Sequence, residues 1–202
     1  MKFKLLTVAL LGTSLSAMAM SSSDKVASKV ELSPEATEAN LNEARSLMKA
    51  FGGELKPELQ KAMKEGGPVH AVGFCHSKAP QIALDLAEKS GWTVTRVSLK
   101  PRGAMANPDA WETQVLNNFE KLKAEGQPVQ KMEFSEVVHV GDEAKFRYMK
   151  PLPTGEVCLK CHGENVAEPI KAAIAKFYPD DKAMGYKQGD IRGAFSFSKA
   201  AQ

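Results

Sequence analysis

The chain has 202 residues, 43% of them hydrophobic and 25% charged, with a net charge of +3, values that suit one globular domain with a single core. Disordered, fibrous and multi-domain organisations are excluded, because apolar content is ordinary and no low-complexity tract dominates. Three cysteines are too few for a disulfide framework and odd in number, so at least one serves chemistry other than a structural bridge.

At the start of the chain, Lys2 and Lys4 precede an apolar run from Leu5 to Leu15, and Ala17-Met18-Ala19 has the small-x-small form of a cleavage site. This pattern predicts a secretory signal peptide over residues 1–19, cleaved after Ala19. The run is too short to span a bilayer, and no cysteine beside it offers a lipid anchor. The expected product is periplasmic, with no stable membrane insertion after signal removal. Loss of Lys2 and Lys4 lowers the net charge from +3 to +1, which gives no ground for nucleic-acid binding. Residues 20–32 read as a flexible leader and 33–202 as one domain.

In that domain, Ser33-Pro34-Glu35 reads as an N-cap, a proline in the first turn and an acid beside it. Leu41, Ala44, Leu47, Met48 and Phe51 follow at helical spacing, and Gly52-Gly53 is expected to end that helix. A second short helix is expected from Pro57 and a third from Val69 to Glu88, where Val72, Cys75, Ala79, Ile82 and Leu86 form one apolar stripe. Pro80 is expected to kink it. Residues 92–99 alternate and are β-branched, predicting a strand, and Asn107-Pro108-Asp109 predicts the start of a helix through Trp111, Val115, Leu116, Phe119 and Leu122. Runs over 132–140 and 145–149 flank Gly141-Asp142 as a hairpin; a helix is expected over 169–177 and a last strand over 191–198. The pattern predicts an α+β fold with a mostly antiparallel sheet and helices crowded at the N-terminus.

Cys158-Leu159-Lys160-Cys161-His162 carries the chemistry. Two thiols separated by two residues match the spacing of the porphyrin vinyl groups, and the histidine that follows ligates the iron, so the segment reads as a c-type haem attachment site. A thioredoxin-like pair would open a helix after a βαβ strand, whereas this motif is expected in a Pro/Gly loop. Half of a zinc site would need a second ligand pair, which the sequence lacks. The signal peptide agrees, because haem is attached to such motifs outside the cytoplasm. One covalent haem c is therefore expected on Cys158 and Cys161, with His162 as the proximal ligand.

The distal ligand is open among Cys75, His70, His76, His139, Met105, Met149 and Met184. Cys75 ranks first on position, as the odd cysteine on an apolar stripe. His76 lies roughly a quarter turn away, His70 opens a helix and His139 ends a strand, so each is expected to face solvent or a local partner. The three methionines fall in or beside expected loops.

In several segments the chain resembles a c-type haem family with a PAS-like fold, long catalogued as a domain of unknown function. Members are small exported proteins and the sensing parts of membrane histidine kinases. The matching segments are Val72-Gly73-Phe74-Cys75 with Ala79-Pro80-Gln81-Ile82-Ala83, Thr95-Arg96-Val97-Ser98-Leu99-Lys100 with Arg102, and Asn107-Pro108-Asp109-Ala110-Trp111-Glu112. Cys158 to Gly163 and the tail Tyr178-Pro179-Asp180 through Gly185-Tyr186 and Arg192-Gly193 complete them. Gly103-Ala104 departs from the asparagine and proline usual in the family. The resemblance implies a PAS-like antiparallel sheet flanked by helices, and an iron held by His162 and Cys75.

It further implies a redox- or gas-responsive haem protein, whose partner is a redox protein or a small gas (CO, NO or O2). A soluble electron-transfer cytochrome is the alternative and a peroxidase-like enzyme the third reading; no enzymatic activity is expected. Arg96, Arg102, Arg192, Tyr186 and Lys187 are candidates to hold the propionates, since charge-assisted bonds to carboxylates favour arginine. Asp180, Asp181 and Asp190 are expected to cap turns.

Overall fold

The computed structural model describes residues 30–141 and 143–201; the segment expected to be a signal peptide and most of the expected leader lie outside them. The architecture is α+β and PAS-like: an antiparallel four-stranded sheet between helices, with a long helix at the N-terminal end. Among the described residues no helix is long and apolar enough to cross a membrane.

Helix α1 runs from Pro34 to Ser90, 57 residues, with Ser33 Oγ accepting from the Ala36 N–H at 3.1 Å and Gly91 closing the far end in the left-handed conformation. The expected stop at Gly52-Gly53 does not occur. Two glycines cost about 1 kcal/mol each in propensity, and burial of Phe51 and Ala62 on either side carries the helix through. Pro57 and Pro80 each remove one backbone bond yet stay inside α1. The break falls instead at Gly67, whose φ of 69° and ψ of −169° belong to a region nearly closed to other residues, and Pro68 then starts the second half with its φ preset.

Strand β1 (Thr93–Val97) pairs with the last strand β4 (Ile191–Ala200), β4 with β3 (Glu143–Pro153), and β3 with β2 (Phe134–Val140), giving the order β1-β4-β3-β2. Alternation divides the sheet's faces between two cores. Val94, Phe146, Tyr148, Phe195 and Phe197 pack on Phe51, Ile82 and Leu86 of α1, while Val97, Met149, Ile191 and Ala194 pack on Val115, Leu116 and Phe119 of α2 (Ala110–Ala124). Helix α2 opens with a reciprocal cap, the Glu112 N–H donating to Asp109 Oδ1 at 2.7 Å and the Asp109 N–H to Glu112 Oε2 at 2.8 Å. Two short helices, α3 (Glu156–His162) and α4 (Glu168–Phe177), join β3 to the segment before β4. A third cluster packs Val72 of α1 on Val166, Ile170 and Ile174, with Cys161 against it.

One polar network ties α1 to the sheet. Glu133 accepts from Arg45 Nη2 at 2.6 Å and from the Tyr148 hydroxyl at 2.9 Å. Arg45, then Tyr148, hold the Glu133 carboxyl below the ordinary carboxylate range against partial burial. Its stabilisation is therefore complete above the unfolded value of about 4.3 and is lost as pH falls through the depressed folded value. Glu133→Gln should lower stability at neutral pH and flatten its acid dependence, as read from urea midpoints between pH 3 and 7.

Gly67→Ala should cost about 1–3 kcal/mol for the strained backbone. Gly52→Ala, with nothing within 4 Å of the added methyl, should instead stabilise by about 0.5–1 kcal/mol. Thermal unfolding of the two variants distinguishes these opposite signs.

Candidate functional site

The five-residue motif does not lie in a loop, as its Pro/Gly surroundings predict. It lies on α3, seven residues long, with Pro153 ending β3 and Gly155 serving as the N-cap. The turn formers flank this helix rather than interrupt it, and seven residues are too few to show a helical period. Spacing of three puts Cys158 and Cys161 on one side of α3, and His162 ends it. No βαβ unit precedes it, since β3 is antiparallel to both neighbours.

The motif is held by two stretches of irregular backbone. The N–H of Tyr186 donates to the His162 carbonyl at 2.9 Å, that of Gly185 to the Gly163 carbonyl at 3.0 Å, and that of Lys182 to the Pro101 carbonyl at 3.0 Å. Gly163 is required here, because a Cβ on it would come 2.6 Å from the Leu159 carbonyl oxygen.

His162 Nδ1 lies 2.8 Å from the Ala183 carbonyl oxygen and 3.0 Å from Arg192 Nε. These two contacts cannot both be hydrogen bonds to one nitrogen. A carbonyl only accepts and an arginine Nε–H only donates, so the tautomer chooses between them: ligation of a metal through Nε2 requires the proton on Nδ1, which then donates to Ala183 and leaves the Nε2 lone pair free. Burial, then the charges of Arg192 and Arg102, push the imidazole pKa down to about 2, so the ring is neutral across the working pH range and available as a metal ligand.

Cys75 lies on α1 between Val72, which belongs to the α4 cluster, and Ile82, which packs in the sheet core. The stripe thus passes from one core to the other at Cys75. Burial pushes its thiol above the ordinary value, against the opposing charges of Arg96 and Arg102 and with Cys161, so Cys75 lies within electrostatic reach of these groups. Of the other distal candidates, Met184 shares the α4 cluster with Cys161, and His76 borders that cluster through Phe177 and Tyr178. His70, His139 and Met105 are exposed; His76 is exposed, its ring tilted against Phe177 and edge-on to Tyr178 with centroids 5.3 and 5.0 Å apart. Met149 is not in a loop but fully buried in β3 beneath α2, and Met184 is partly buried in the α4 cluster.

Three guanidinium groups converge on this end of the sheet. Arg102 is engaged by Asp181 and by the carbonyls of Cys161 and Ala183; Arg192 Nη1 donates to Ser98 Oγ at 3.0 Å and to the Lys100 carbonyl at 3.3 Å. Arg96 has no hydrogen-bond partner among the described residues and lies 4.9 Å over the Phe51 ring. Burial, and for Arg96 the charge of Arg192, hold both Arg96 and Arg192 below the ordinary arginine value. The buried Tyr186 sets its ring edge-on to His162, with its hydroxyl donating to the Arg192 carbonyl at 3.3 Å. Lys187 points away, 3.7 Å from Glu164.

Asp181 and Asp190 do cap turns, through the Ala183 and Lys187 N–H groups, but Asp181 is also the partner of Arg102. That pairing, and the Ala183 carbonyl, carried no sequence signal: a backbone oxygen has none, and the ion pair spans 79 positions.

Among the described residues no group of three or more His, Cys, Asp and Glu comes together to hold a bare metal ion. The donor set does fit a metal delivered in a macrocycle. Two free thiols lie on one helix with a third within electrostatic reach of Cys161, an imidazole can offer Nε2, and a partly buried guanidinium lacks an anion among the described residues.

The Tll0287-like family matches residues 12–199. Among solved structures, the crystal structure of the cyanobacterial haem protein Tll0287 is similar, with a TM-score of 0.59 at 25% identity, over 85% of this chain and 98% of that one. No curated protein matches the chain.

Gly163→Ala should destabilise the protein by about 1–3 kcal/mol through its clash with Leu159. Gly155→Ala, whose nearest contact is Cys158 Sγ at 3.9 Å, should stay within about 0.5 kcal/mol in the same denaturant titration.

Proposed function

The chain belongs to the Tll0287-like family, and on that basis we propose that it is an exported mono-haem c-type cytochrome that responds to redox change or to a small gas. Cys158 and Cys161 would hold the haem through thioethers, and His162 and Cys75 would be its axial ligands. The observation that supports this proposal is the packing of α1 on the motif: Val72, one turn before Cys75, shares the cluster that Cys161 packs against, which brings the third thiol within electrostatic reach of Cys161 although 83 positions separate Cys75 from Cys158.

A bound haem supplies one-electron chemistry at its iron and, where one axial position is vacated, a place for CO, NO or O2. The protein's own groups do the rest. His162 Nδ1–H, held by the Ala183 carbonyl, orients the imidazole and keeps Nε2 aimed away from that backbone. Arg96, lacking an anion of its own, is the group best suited to a propionate, whereas the donors of Arg102 and Arg192 are largely committed within the protein. Cys75 belongs to the half of α1 that follows the break at Gly67, so a bond made or lost at its sulfur acts on a helix segment set off from the first half by that break.

Expression in a host that matures c-type cytochromes tests the reading. Haem should remain on the polypeptide through acid-acetone extraction, and its complete loss would refute covalent attachment. Cys75→Ser should move the ferric spectrum away from low-spin thiolate ligation; an unchanged spectrum removes Cys75 as a ligand. Rapid CO binding to the reduced protein is the expected response, and none at any potential would leave simple electron carriage as the function.

A further inference from the structure

Arg102 and Asp181 form the most enclosed ion pair among the described residues, with side-chain exposures of 12% and 6%. An ion pair this enclosed repays its desolvation only where further hydrogen bonds satisfy what remains of both groups. Here those bonds all go to one place. Arg102 Nε and Nη2 donate to the two Asp181 carboxylate oxygens at 3.0 and 3.1 Å. Nη2 also reaches the Cys161 carbonyl at 2.6 Å and the Ala183 carbonyl at 3.2 Å, and Asp181 Oδ1 accepts from the Ala183 N–H at 2.9 Å. The pair therefore grips both polar groups of Ala183, and the Ala183 carbonyl is the acceptor of His162 Nδ1–H.

Resting on the haem reading above, we infer that Arg102 and Asp181 are positioning residues that act through the Ala183 carbonyl on His162 and set the reduction potential of the group it ligates. Arg102 shares the carbonyl with His162 and so weakens it as an acceptor. Freed from Arg102, the carbonyl would accept the Nδ1 proton more strongly and make Nε2 a stronger donor, which favours the oxidised metal. The guanidinium charge acts in the same direction, since a nearby cation disfavours the extra positive charge of the oxidised state. Removing Arg102 should lower the potential on both counts. Removing the Asp181 charge leaves Arg102 uncompensated and should raise it.

The measurement is spectroelectrochemical titration of the purified haem-loaded protein and its Arg102→Gln, Arg102→Lys and Asp181→Asn variants. The His162 Nδ1–H resonance of the reduced form is followed by NMR alongside. Arg102→Gln should shift the reduction equilibrium about tenfold toward the oxidised form, 59 mV for one electron, and Asp181→Asn should shift it toward the reduced form. Arg102→Lys, which keeps the charge, should stay close to the parent, and the Nδ1–H resonance should move downfield in Arg102→Gln.

Shifts of one sign in Arg102→Gln and Asp181→Asn, or none, would reduce the pair to a structural brace and overturn the inference while leaving the haem reading intact. If Arg102→Gln fails to mature, the comparison of Asp181→Asn with Arg102→Lys decides: a raised potential in the first and a parental value in the second support the inference, and any other pattern refutes it. A parent protein without covalent haem would overturn the underlying reading and this inference with it.

Discussion

The carbonyl of Ala183 accepts the Nδ1 proton of His162 at 2.8 Å, and much of this end of the molecule is arranged so that it can. Residues 185 and 186 donate to the carbonyls of Gly163 and His162, and Lys182 donates to the Pro101 carbonyl, so the stretch that positions the end of α3 is itself tied to a distant part of the chain. Only with Nδ1 engaged is the tautomer decided and Nε2 left with a lone pair. A histidine that ended a seven-residue helix without such an acceptor would be free to turn, because α3 is too short to hold itself.

Charge is distributed unevenly around that bond. Arg96, Arg102 and Arg192 stand against one enclosed carboxylate, Asp181, and burial holds two of the three arginines below their ordinary value. Concentrating cations in a poorly solvated place costs stability unless an anion joins them. Two propionates would supply the missing negative charge, which is why this end of the sheet makes better physical sense as a holo site than as a bare one. Burial first and then the Arg192 and Arg102 charges keep His162 neutral, so the arrangement that suits an anionic cofactor also helps prepare the ligand.

The long helix supplies the other side. Its stripe from Val72 to Leu86 crosses from the α4 cluster to the sheet core, and Cys75 falls at the crossing. Packing on both flanks fixes how far Cys75 can move, while the break at Gly67 lets this half of α1 take a direction different from the half that covers the sheet through Ala44 and Phe51.

Element types along the chain were readable from period and caps: the strands near 93–97, 134–140 and 191–200, the Asp109-capped helix, and the apolar stripe that includes Cys75. The motif at 158–162 was readable as well, because its chemistry requires fixed residue types at fixed spacing. Gly52-Gly53 and Pro57 misled, since their local cost is smaller than what burial of Phe51 and Ala62 returns. The helical state of the motif and the buried place of Met149 were also hidden, one by brevity and the other by the sheet's choice of faces. By itself the sequence determined the family resemblance, the α+β class and the chemical identity of the candidate ligands, all of which are local properties. Only the tertiary structure decided that Arg102 is paired with Asp181, that Arg96 has no hydrogen-bond partner among the described residues, and that Ala183 meets His162. Those depend on which residues meet across 79 or 21 positions of chain, and packing, not residue type, chooses them.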